Sequence, residues 1–347
     1  MISQSRIFSI LSEQFPSFCP IDDLQPLEGG NLNHVWRIKG QEKSLIIKWA
    51  PAHIANKPEV PLSPKRLDFE ARALGLFNKG ELLEKLGTDK VRPPRQLHFD
   101  HRHHLLIMED VGILPSLSEW IHPGMHTEVA KTLGRFIGQL QKLTVHDKIL
   151  GKQFNNLDIQ QTRLKVQYNP AADYLSKTGL DKAISNQVSQ KTKTLGQKLL
   201  EPGRCLVMGD LWLPSVLVNE GRLRIIDWEF VHYGRPLQDV GHFAAHCWMQ
   251  AHSSSSKERY ELFKKLWGNF WNQYQQTLDD TGKLLLSGDE MQNMATHAGA
   301  EILVRTVGPF QDDYVYETLS PAHPKIQEAT RKAKDLILSA QLSALWS

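Results

Sequence analysis

The stretch CLVMGDLWLPSVLV at residues 205–218, followed by LRIIDWEF at residues 223–230, decides the fold. In each stretch an apolar, β-forming run leads to an acid, and the turn at 219–221 separates the two runs. Asp210 and Asp227 are 17 positions apart, which can bring both carboxylates to neighbouring strand ends. One carboxylate would then be free to take a hydroxyl proton while the other holds a divalent cation. This pair is typical of phosphoryl transfer, which depends on positioning and charge neutralisation.

The composition is that of an ordinary globular protein with room for two domains. The chain has 347 residues, of which 41% are hydrophobic and 23% charged. A net charge of +3 is too mild for a nucleic-acid partner, which would need a denser basic stripe. The three cysteines are few and widely spaced, so we expect neither a disulfide framework nor a zinc site. We see no signal peptide and no apolar run long enough for a membrane span, and expect a cytoplasmic protein; no pattern indicates an oligomeric state.

Hydrophobic periodicity divides the chain into a β-rich part and a helical part. Two hairpins are predicted, one at 34–49 and one at 97–108, with a helix from a Ser63 cap to about Phe77 between them. Beyond the connector the patterns are mainly helical. We therefore expect an α+β fold, with a small N-terminal nucleotide-binding lobe at 1–108, a hinge at 109–114 and a larger catalytic and substrate-binding lobe at 115–347.

Several features of the β-rich part are candidates for nucleotide binding. Lys48 interrupts an apolar strand, and in a two-lobe kinase the lysine of this strand reaches the α- and β-phosphates. The alternative is a charge that protects a sheet edge. Glu70, on the next helix, would pair with Lys48, unless it is simply an exposed glutamate. In the hinge, the backbone of Glu109 and Val111 is expected to bind the adenine edge.

A glycine-containing loop precedes the first hairpin. It consists of Gly29, Gly30, Asn31, Leu32 and Asn33. Glycine lets the backbone approach a phosphate closely, so the N–H groups of this loop would cover the nucleotide phosphates. A plain hairpin turn explains the same residues equally well.

The acids of the two decisive stretches have distinct expected roles. Asp210 is the candidate general base, or at least the group that orients the substrate hydroxyl; the alternative is a helix or loop cap. Asp227 and Glu229 offer the oxygen ligands that Mg²⁺ prefers, and alternation along a strand would point both to one side. The alternative interpretation of Asp227 and Glu229 is that they form a solvated acidic strand end. Ser215 would be a weaker ligand at a second metal position.

Two further charged residues stand out in the helical part. Asp239 opens a helix, and we expect it to bond the backbone of the loop that contains Asp210. Arg305 is a cation within an apolar helix. It is either the partner of a buried salt bridge or a contact for an anion or hydroxyl in the substrate pocket.

From about Leu27 to Gly308 the chain resembles the aminoglycoside phosphotransferase/choline kinase superfamily. Within it the sequence is most similar to 5-methylthioribose kinases and to the fungal hydroxytryptamine kinase. The motifs that carry the resemblance are Gly30–Asn33, Pro61–Glu70, Met208–Trp212, Ser215 and Asp227-Trp228-Glu229. The resemblance implies a protein-kinase-like two-lobe fold, with ATP and Mg²⁺ as cofactors and the hydroxyl of a small molecule as acceptor.

The chain also departs from the superfamily pattern. Methylthioribose kinases carry an arginine pair that recognises the sugar, and here these positions are Val304 and Arg305. Met208 and Trp212 stand where two histidines are usual, which suits a less polar acceptor and makes Trp212 a substrate-binding candidate. We therefore expect a small-molecule kinase. The alternative, motivated by Met208, Leu213 and Ser215, is a catalytically silent nucleotide- or metabolite-binding protein. A protein kinase is not expected, since H-R-D, D-F-G and A-P-E are all absent from the sequence.

Overall fold

The chain forms two compact units. The structure, a computed structural model, describes residues 2–27, 32–121, 123–124, 126–312 and 314–347. The first unit runs to Leu114 and also contains Arg224–Phe230, whereas the second contains Pro115–Leu223 and Val231–Ser347. The segment Arg224–Phe230, which carries Asp227 and Glu229, thus belongs with the β-rich unit, although the sequence placed it in the larger lobe.

The first unit is built on an antiparallel sheet. Its elements are α1 (Gln4–Gln14), β1 (Gln25–Pro26), β2 (His34–Lys39), β3 (Ser44–Trp49), β4 (His53–Ile54), β5 (Lys57–Pro61), α2 (Arg66–Gly75), β6 (Val91–Arg92), β7 (Gln96–Asp100) and β8 (Leu105–Glu109). The main sheet has the order β1-β2-β3-β8-β7, and β4 pairs with β5. Both predicted hairpins are confirmed, with His34 opposite Trp49 and Asp100 opposite Leu105.

The core of this unit lies between α1 and the sheet. Ile7, Ile10 and Leu11, at i, i+3 and i+4 spacing, are buried on one face of α1. They belong to the same apolar cluster as Ile38 and Ile47 of the central strands. The helix is closed at its start by Ser3, whose hydroxyl accepts a hydrogen bond from the Arg6 N–H. This packing fixes β3, the strand that carries Lys48.

Helix α2 starts later than the sequence predicted. The expected cap was Ser63, but the helix begins at Arg66 after a turn at Pro64 and Lys65. The Ser63 carbonyl instead accepts a hydrogen bond from Arg66 Nη1 at 2.7 Å. The guanidinium therefore holds the chain in a turn where a capping serine would have started the helix.

Arg66 is fully buried and ties several backbone segments together. Besides Ser63, its guanidinium donates to the carbonyls of Leu32 at 2.7 Å, Pro51 at 3.1 Å and Leu62 at 3.3 Å. Only a planar fork of five donors can serve carbonyls in so many directions. Arg66 thereby fixes the chain that follows the glycine loop against the start of α2.

The second unit is mainly helical. Its elements are α3 (Leu117–Trp120), α4 (His126–Leu143), α5 (Lys148–Gln153), α6 (Leu157–Arg163), α7 (Ala171–Ser176), α8 (Lys182–Lys198), β9 (Cys205–Val207), β10 (Val216–Asn219), β11 (Arg222–Ile225), which ends in the first unit, β12 (His232–Gly234), α9 (Leu237–Ser253), α10 (Lys257–Leu285), α11 (Glu290–Thr306) and α12 (Pro324–Ser339). A π-helical turn, Leu164–Tyr168, extends α6, and short 3-10 helices occupy Leu213–Ser215 and Leu342–Trp346. Among the helices of the described ranges, none is both long and apolar enough to cross a membrane.

Helix α9 is the buried centre of the second unit. Every residue from Leu237 to Met249 is buried, including four polar ones, Gln238, Asp239, His242 and His246. A helix that is buried on all sides must supply partners for its polar side chains, because an unpaired polar group in a core is costly. Elsewhere α4 packs closely on α10, where a Cβ at Gly134 would lie 2.4 Å from the Phe270 carbonyl oxygen.

Substitution of Arg66 by lysine tests the role of the buried guanidinium. Lysine keeps the charge but loses the fork, so several buried carbonyls lose their donors, and we expect the free energy of unfolding to fall by about 1–3 kcal/mol. Urea unfolding followed by circular dichroism measures this change. The control is Arg102→Lys at an exposed position. Equal stability of the two variants would contradict the role.

Candidate functional site

The first unit places one buried ammonium group among three carboxylates. Lys48 Nζ lies 2.8 Å from Glu70 Oε2, 3.0 Å from Asp227 Oδ1 and 3.8 Å from Glu229 Oε1, and only 4% of its side chain is exposed. The predicted pairing of Lys48 with Glu70 is confirmed, and the sheet-edge alternative is wrong, because β3 is a central strand. The sequence candidates Lys48, Glu70, Asp227 and Glu229 therefore form a single cluster.

The charges of this cluster shift the pKa values of its members. Burial alone would lower the pKa of Lys48, but Glu229, Glu70 and Asp227 together raise it, so the ammonium stays charged. Burial raises the pKa of Glu70 to about 7. The ammonium group of Lys48 opposes this rise, and the carboxylates of Glu229 and Asp227 add to it. With Arg66 also present, the cluster has three potential negative charges against two positive ones. This excess favours an additional cation.

Asp227 and Glu229 do not lie on a strand, so the argument from strand alternation is wrong. Strand β11 ends at Ile225, and Asp227 has a left-handed backbone with φ of 63°. Such a conformation is uncommon outside glycine and marks a locally strained position. The side chain of Trp228 secures it: its indole N–H donates to the Ile225 carbonyl at 2.8 Å, and its ring packs edge-on against Phe77. The turn, rather than a strand, brings both acids to Lys48.

The two acids differ in how free they are. Glu229 accepts a 2.5 Å hydrogen bond from Asn33 Nδ2, lies 3.5 Å from Arg66 Nε, and is 9% exposed. Asp227 is 45% exposed. Hard oxygen ligands of this kind fit Mg²⁺. Asp227 is available for a metal as it stands, while Glu229 would first exchange partners.

Asn33 joins the end of the glycine loop to this cluster. Its amide donates to Glu229, and its Oδ1 accepts from Arg66 Nε at 3.1 Å. The other nucleotide candidates of this loop, Gly29, Gly30 and Asn31, lie outside the described residues.

The side chains of Glu109, at the end of β8, and of Asp110, which follows it, are bound within the first unit. Glu109 receives two hydrogen bonds from Arg92, at 2.5 and 2.6 Å, and its backbone N–H donates to the Arg95 carbonyl at 2.9 Å. Asp110 accepts a bidentate pair from Arg37. These forked pairs fix the path of the chain towards Val111. The backbone N–H of Glu109 is thus already engaged, while Val111 is half-buried.

In the second unit, the loop with Asp210 is held by Asp239. The Asp239 carboxylate accepts the backbone N–H of Gly209 at 2.8 Å and that of Met208 at 3.2 Å, and also Gln141 Nε2 at 3.1 Å. The predicted structural role of Asp239 is confirmed. Gly209 has φ of 82°, a value that glycine adopts without strain. The chain thus changes direction at Gly209, immediately before Asp210.

Asp210 itself is approached by an arginine and a histidine side chain. Arg163 Nη2 donates to its Oδ1 at 2.8 Å, and His242 Nε2 lies 3.3 Å from the same oxygen. Burial alone would raise the pKa of this carboxyl, but His242, Arg163 and Arg305 lower it to about 2. The side chain is 17% exposed. Asp210 is therefore an ionised carboxylate with access to solvent rather than a helix cap.

Arg305 and Trp212 are in contact. The Arg305 guanidinium carbon lies 4.8 Å from the ring centroid of Trp212, 5.2 Å from that of Tyr314 and 5.4 Å from that of Phe310. Its Nε donates to Glu301 at 2.8 Å. Stacking on several rings stabilises the cation and fixes its plane. The salt-bridge alternative for Arg305 is thus correct, and it leaves open a role in substrate binding.

Ser215 is engaged within its own turn. Its hydroxyl donates to the Trp212 carbonyl at 2.9 Å, and the side chain is buried in the 3-10 helix Leu213–Ser215. To bind a metal, Ser215 would have to give up this bond.

The family of the chain follows from a sequence comparison. A family model described as "Phosphotransferase enzyme family" (APH) matches residues 23–269, which is more than half of the chain. The chain belongs to this family. The expectation of a phosphotransferase of the kinase type that acts on small molecules is thereby confirmed.

Named relatives support the same conclusion. The phosphotransferase is 26% identical over 269 residues to a 4-hydroxytryptamine kinase of Psilocybe cyanescens, covering 72% of this chain and 74% of that one. It is 28% identical over 316 residues to a methylthioribose kinase of Bacillus cereus (strain AH187), covering 80% and 77%.

Solved structures show the fold. A choline kinase from Cryptosporidium parvum Iowa II superposes with a TM-score of 0.58 at 13% identity, covering 97% of this chain and 95% of the other. A spectinomycin phosphotransferase in complex with ADP gives 0.54 at 13% identity, covering 98% of both chains. The expected α+β, protein-kinase-like fold class of the phosphotransferase is confirmed.

Sequence reasoning missed three residues around Asp210, namely Arg163, His242 and Glu301. The signal that could have found His242 and Glu301 is a polar stripe in two otherwise apolar helices. On α9 polar residues recur at 239, 242 and 246, and on α11 at 297, 301 and 305. Spacings of three and four place each set on one helix face. Two such faces in buried helices predict a shared polar network.

Within the described residues, His242, His246 and Glu301 are the group whose spacing would suit a metal ion, with ligand atoms within 4.8 Å of one another. The charge distribution argues against that use. Arg305 already donates to Glu301 at 2.8 Å. The negative charge that would balance a metal ion is therefore already balanced by the guanidinium group.

Substitution of Asp239 by asparagine tests how the loop of the phosphotransferase is held. An amide presents one acceptor in place of two, so a buried backbone N–H at Met208 or Gly209 loses its partner. We expect the free energy of unfolding to fall by about 1–3 kcal/mol. Thermal and urea unfolding measure it. Asp173→Asn, at an exposed acid in the first turn of α7, is the control. Similar losses in both variants would contradict the role of Asp239.

Proposed function

We propose that the phosphotransferase is an ATP- and Mg²⁺-dependent kinase that phosphorylates a hydroxyl group of a small metabolite. The observation that carries the proposal is the buried cluster of Lys48 with Glu70, Asp227 and Glu229. A buried ammonium group held in place by a helix carboxylate is suited to bind phosphate oxygens. The carboxylate excess around it suits a divalent cation.

In this proposal the N-terminal lobe, residues 1–108, binds the nucleotide. Lys48 holds the α- and β-phosphates, and Glu70 keeps the ammonium group in position. The loop of Gly29, Gly30, Asn31 and Asn33 covers the phosphates with backbone N–H groups. The backbone at Glu109 and Val111, in the hinge at 109–114, binds the adenine edge; for Glu109 the carbonyl is the available group, since its N–H bonds Arg95.

Asp227 and Glu229 would hold Mg²⁺, with Ser215 as a weaker third candidate. An ion held there would neutralise the charge of the phosphate oxygens. Of the three, Asp227 is the ligand supported best, because its side chain is the most exposed and its backbone is held in an unusual conformation.

Asp210 aligns the acceptor hydroxyl in the catalytic lobe, residues 115–347. A carboxylate with a pKa of about 2 is a weak base, so it accepts a hydrogen bond from the hydroxyl and takes the proton only as the phosphoryl group arrives. This order suits a loose transition state, in which the attacking oxygen keeps its proton until late.

Trp212 and Arg305 are the proposed contacts for the rest of the acceptor. Together with Tyr314 and Phe310 they offer flat apolar faces and a cation in a fixed plane. The relatives named for hydroxytryptamine and methylthioribose supply the first two acceptors to test. Discrimination between them rests on polar contacts more than on size, since one methylene contributes only about 1–3 kcal/mol.

The central experiment measures ADP release with a panel of hydroxyl compounds that includes 4-hydroxytryptamine and methylthioribose, in the wild type and in Asp210→Asn. We expect the variant to bind ATP as the wild type does while its kcat falls about 10²–10⁴-fold, because the hydroxyl loses its orienting carboxylate. Asp158→Asn, at an exposed acid of α6, is the control. Retained turnover in Asp210→Asn refutes the assigned role. Binding of ATP without turnover of any panel member by the wild type favours the silent alternative.

Substitution of Asp227 by alanine tests the metal assignment. We expect nucleotide affinity in the presence of Mg²⁺ to weaken at least about tenfold, or about 1.4 kcal/mol, and to become insensitive to the ion. Isothermal titration with ATP, with and without Mg²⁺, measures both effects. Asp23→Ala, at an exposed position of the same unit, serves for comparison. An unchanged Mg²⁺ dependence would exclude Asp227 as a ligand.

A further inference from the structure

Arg163 and His242 approach the same carboxylate oxygen of Asp210. Arg163 Nη2 lies 2.8 Å and His242 Nε2 3.3 Å from Oδ1. Both side chains therefore interact with Oδ1 of the carboxylate. The Asp210 side chain as a whole is 17% exposed.

His242 lies between two carboxylates. While Nε2 faces Asp210, its Nδ1 lies 3.6 Å from Glu301 Oε2, and the ring is almost fully buried. An ionised carboxylate only accepts hydrogen bonds. An imidazole with a carboxylate at each nitrogen is therefore complementary to its surroundings when both nitrogens carry a proton. That form is the imidazolium ion.

The other titratable groups facing His242 fit this charge. On its own helix, burial lowers the pKa of His246 to about 3, and on α11 burial lowers that of His297 well below the ordinary value. Both rings are therefore neutral. Arg163 from α6 and Arg305 from α11 are cations of the same network. They approach Asp210 and Glu301 respectively.

The hydrogen bonds of His246 identify its neutral tautomer. Its Nε2 lies 3.1 Å from Glu301 Oε1, and its Nδ1 lies 2.5 Å from the Tyr314 hydroxyl. Since the carboxylate cannot donate, Nε2 carries the proton and Nδ1 accepts from Tyr314. His246 thus supports Glu301 without competing for the charge that His242 carries.

Glu301 is the anchor of this arrangement. Burial alone would raise its pKa, but His242 and Arg305 lower it well below the ordinary range. It also accepts a hydrogen bond from Gln167 Nε2 at 3.0 Å. Held from several helices, Glu301 has a fixed position and a full charge.

We propose that His242 is a positioning residue for the transfer reaction. As an imidazolium ion it bridges Asp210 and Glu301, and together with Arg163 it holds Asp210 Oδ1 so that Oδ2 faces the acceptor hydroxyl. The chain Asp210–His242–Glu301 thereby fixes the orientation of the carboxylate and keeps it ionised. Its kinetic consequence rests on the proposed function, whereas the pairing itself does not.

The first test is spectroscopic and needs no substrate. In the wild type with ¹⁵N-labelled histidine, sequence-specific NMR assignment of the His242 ring should show both nitrogens protonated at neutral pH. In Asp210→Asn the ring should change to a neutral tautomer at a lower pH than in the wild type, because one of its two carboxylates is gone. A neutral His242 ring in the wild type at neutral pH would overturn the proposal. So would stoichiometric zinc in the purified protein, since a metal requires an unprotonated histidine nitrogen.

The second test is kinetic and uses His242→Gln. Glutamine occupies a similar volume but cannot be charged, so the ionised form of Asp210 is less stabilised and the pKa of Asp210 rises. We expect kcat to fall at least about tenfold, with the KM for ATP unchanged. On acidification, turnover of the variant should be lost before the protein unfolds, whereas that of the wild type persists down to unfolding.

The matched control is His252→Gln on the same helix. His252 is also largely buried and bonded, with Nδ1 2.8 Å from the Tyr316 hydroxyl, but it does not contact Asp210. A purely structural role would lower activity in both variants and leave the pH dependence unchanged, which would overturn the proposal. If no panel compound is turned over by the wild type, the proposed function fails and the NMR measurement alone decides the pairing.

Discussion

The structure of the first unit depends on the burial of one ammonium group. Transferring a charged lysine out of water costs several kcal/mol unless carboxylates compensate for the lost hydration. Lys48 meets this requirement with groups from distant parts of the chain: Glu70 on helix α2, and Asp227 and Glu229 on the segment that follows β11. This need explains why Arg224–Phe230 belongs to the first unit although most of its sequence neighbours do not.

The second unit follows the same physical rule with the charges exchanged. Here buried carboxylates, Asp239 and Glu301, are compensated by donors from other helices and from the backbone. The carboxylate oxygens of Asp239 accept hydrogen bonds from the backbone just before Asp210. The pKa of Asp239 is raised to about 6, because the effect of burial outweighs that of these hydrogen bonds. Asp210, which cations surround, has a lowered pKa. The two aspartates thus differ in chemistry because one faces N–H dipoles and the other faces full charges.

Local patterns of the sequence were sufficient for the elements but not for their exact contacts. The hairpin of β2 and β3 and the long helices follow from periodicity, which is a property of neighbouring residues. The predicted start of α2 was wrong because the guanidinium of Arg66 binds carbonyls from several segments. No local sequence pattern contains that information. The strand geometry predicted for Asp227 and Glu229 was wrong for a related reason. These acids lie in a turn that is held by Trp228, and its partner Phe77 is remote in sequence. Where the chemistry required a pairing, as for Lys48 and Glu70, residue type and fold resemblance together were enough.

The residues around Asp210 show why long-range polar networks are the hardest part to predict. Arg163, His242 and Glu301 come from three helices, and each alone is an unremarkable polar residue in an amphipathic or apolar pattern. Their meaning arises only when the helices pack, because a buried charge is tolerable only beside its partner. The polar stripes on α9 and α11 nevertheless constrain the answer: two apolar helices that each bury several polar residues on one face must present those faces to each other or to a ligand. In this chain the two faces meet at Glu301 and His246, and the side chain of Asp210 in the same network is 17% exposed. A carboxylate held by such a network keeps its orientation without the entropy cost of ordering it anew.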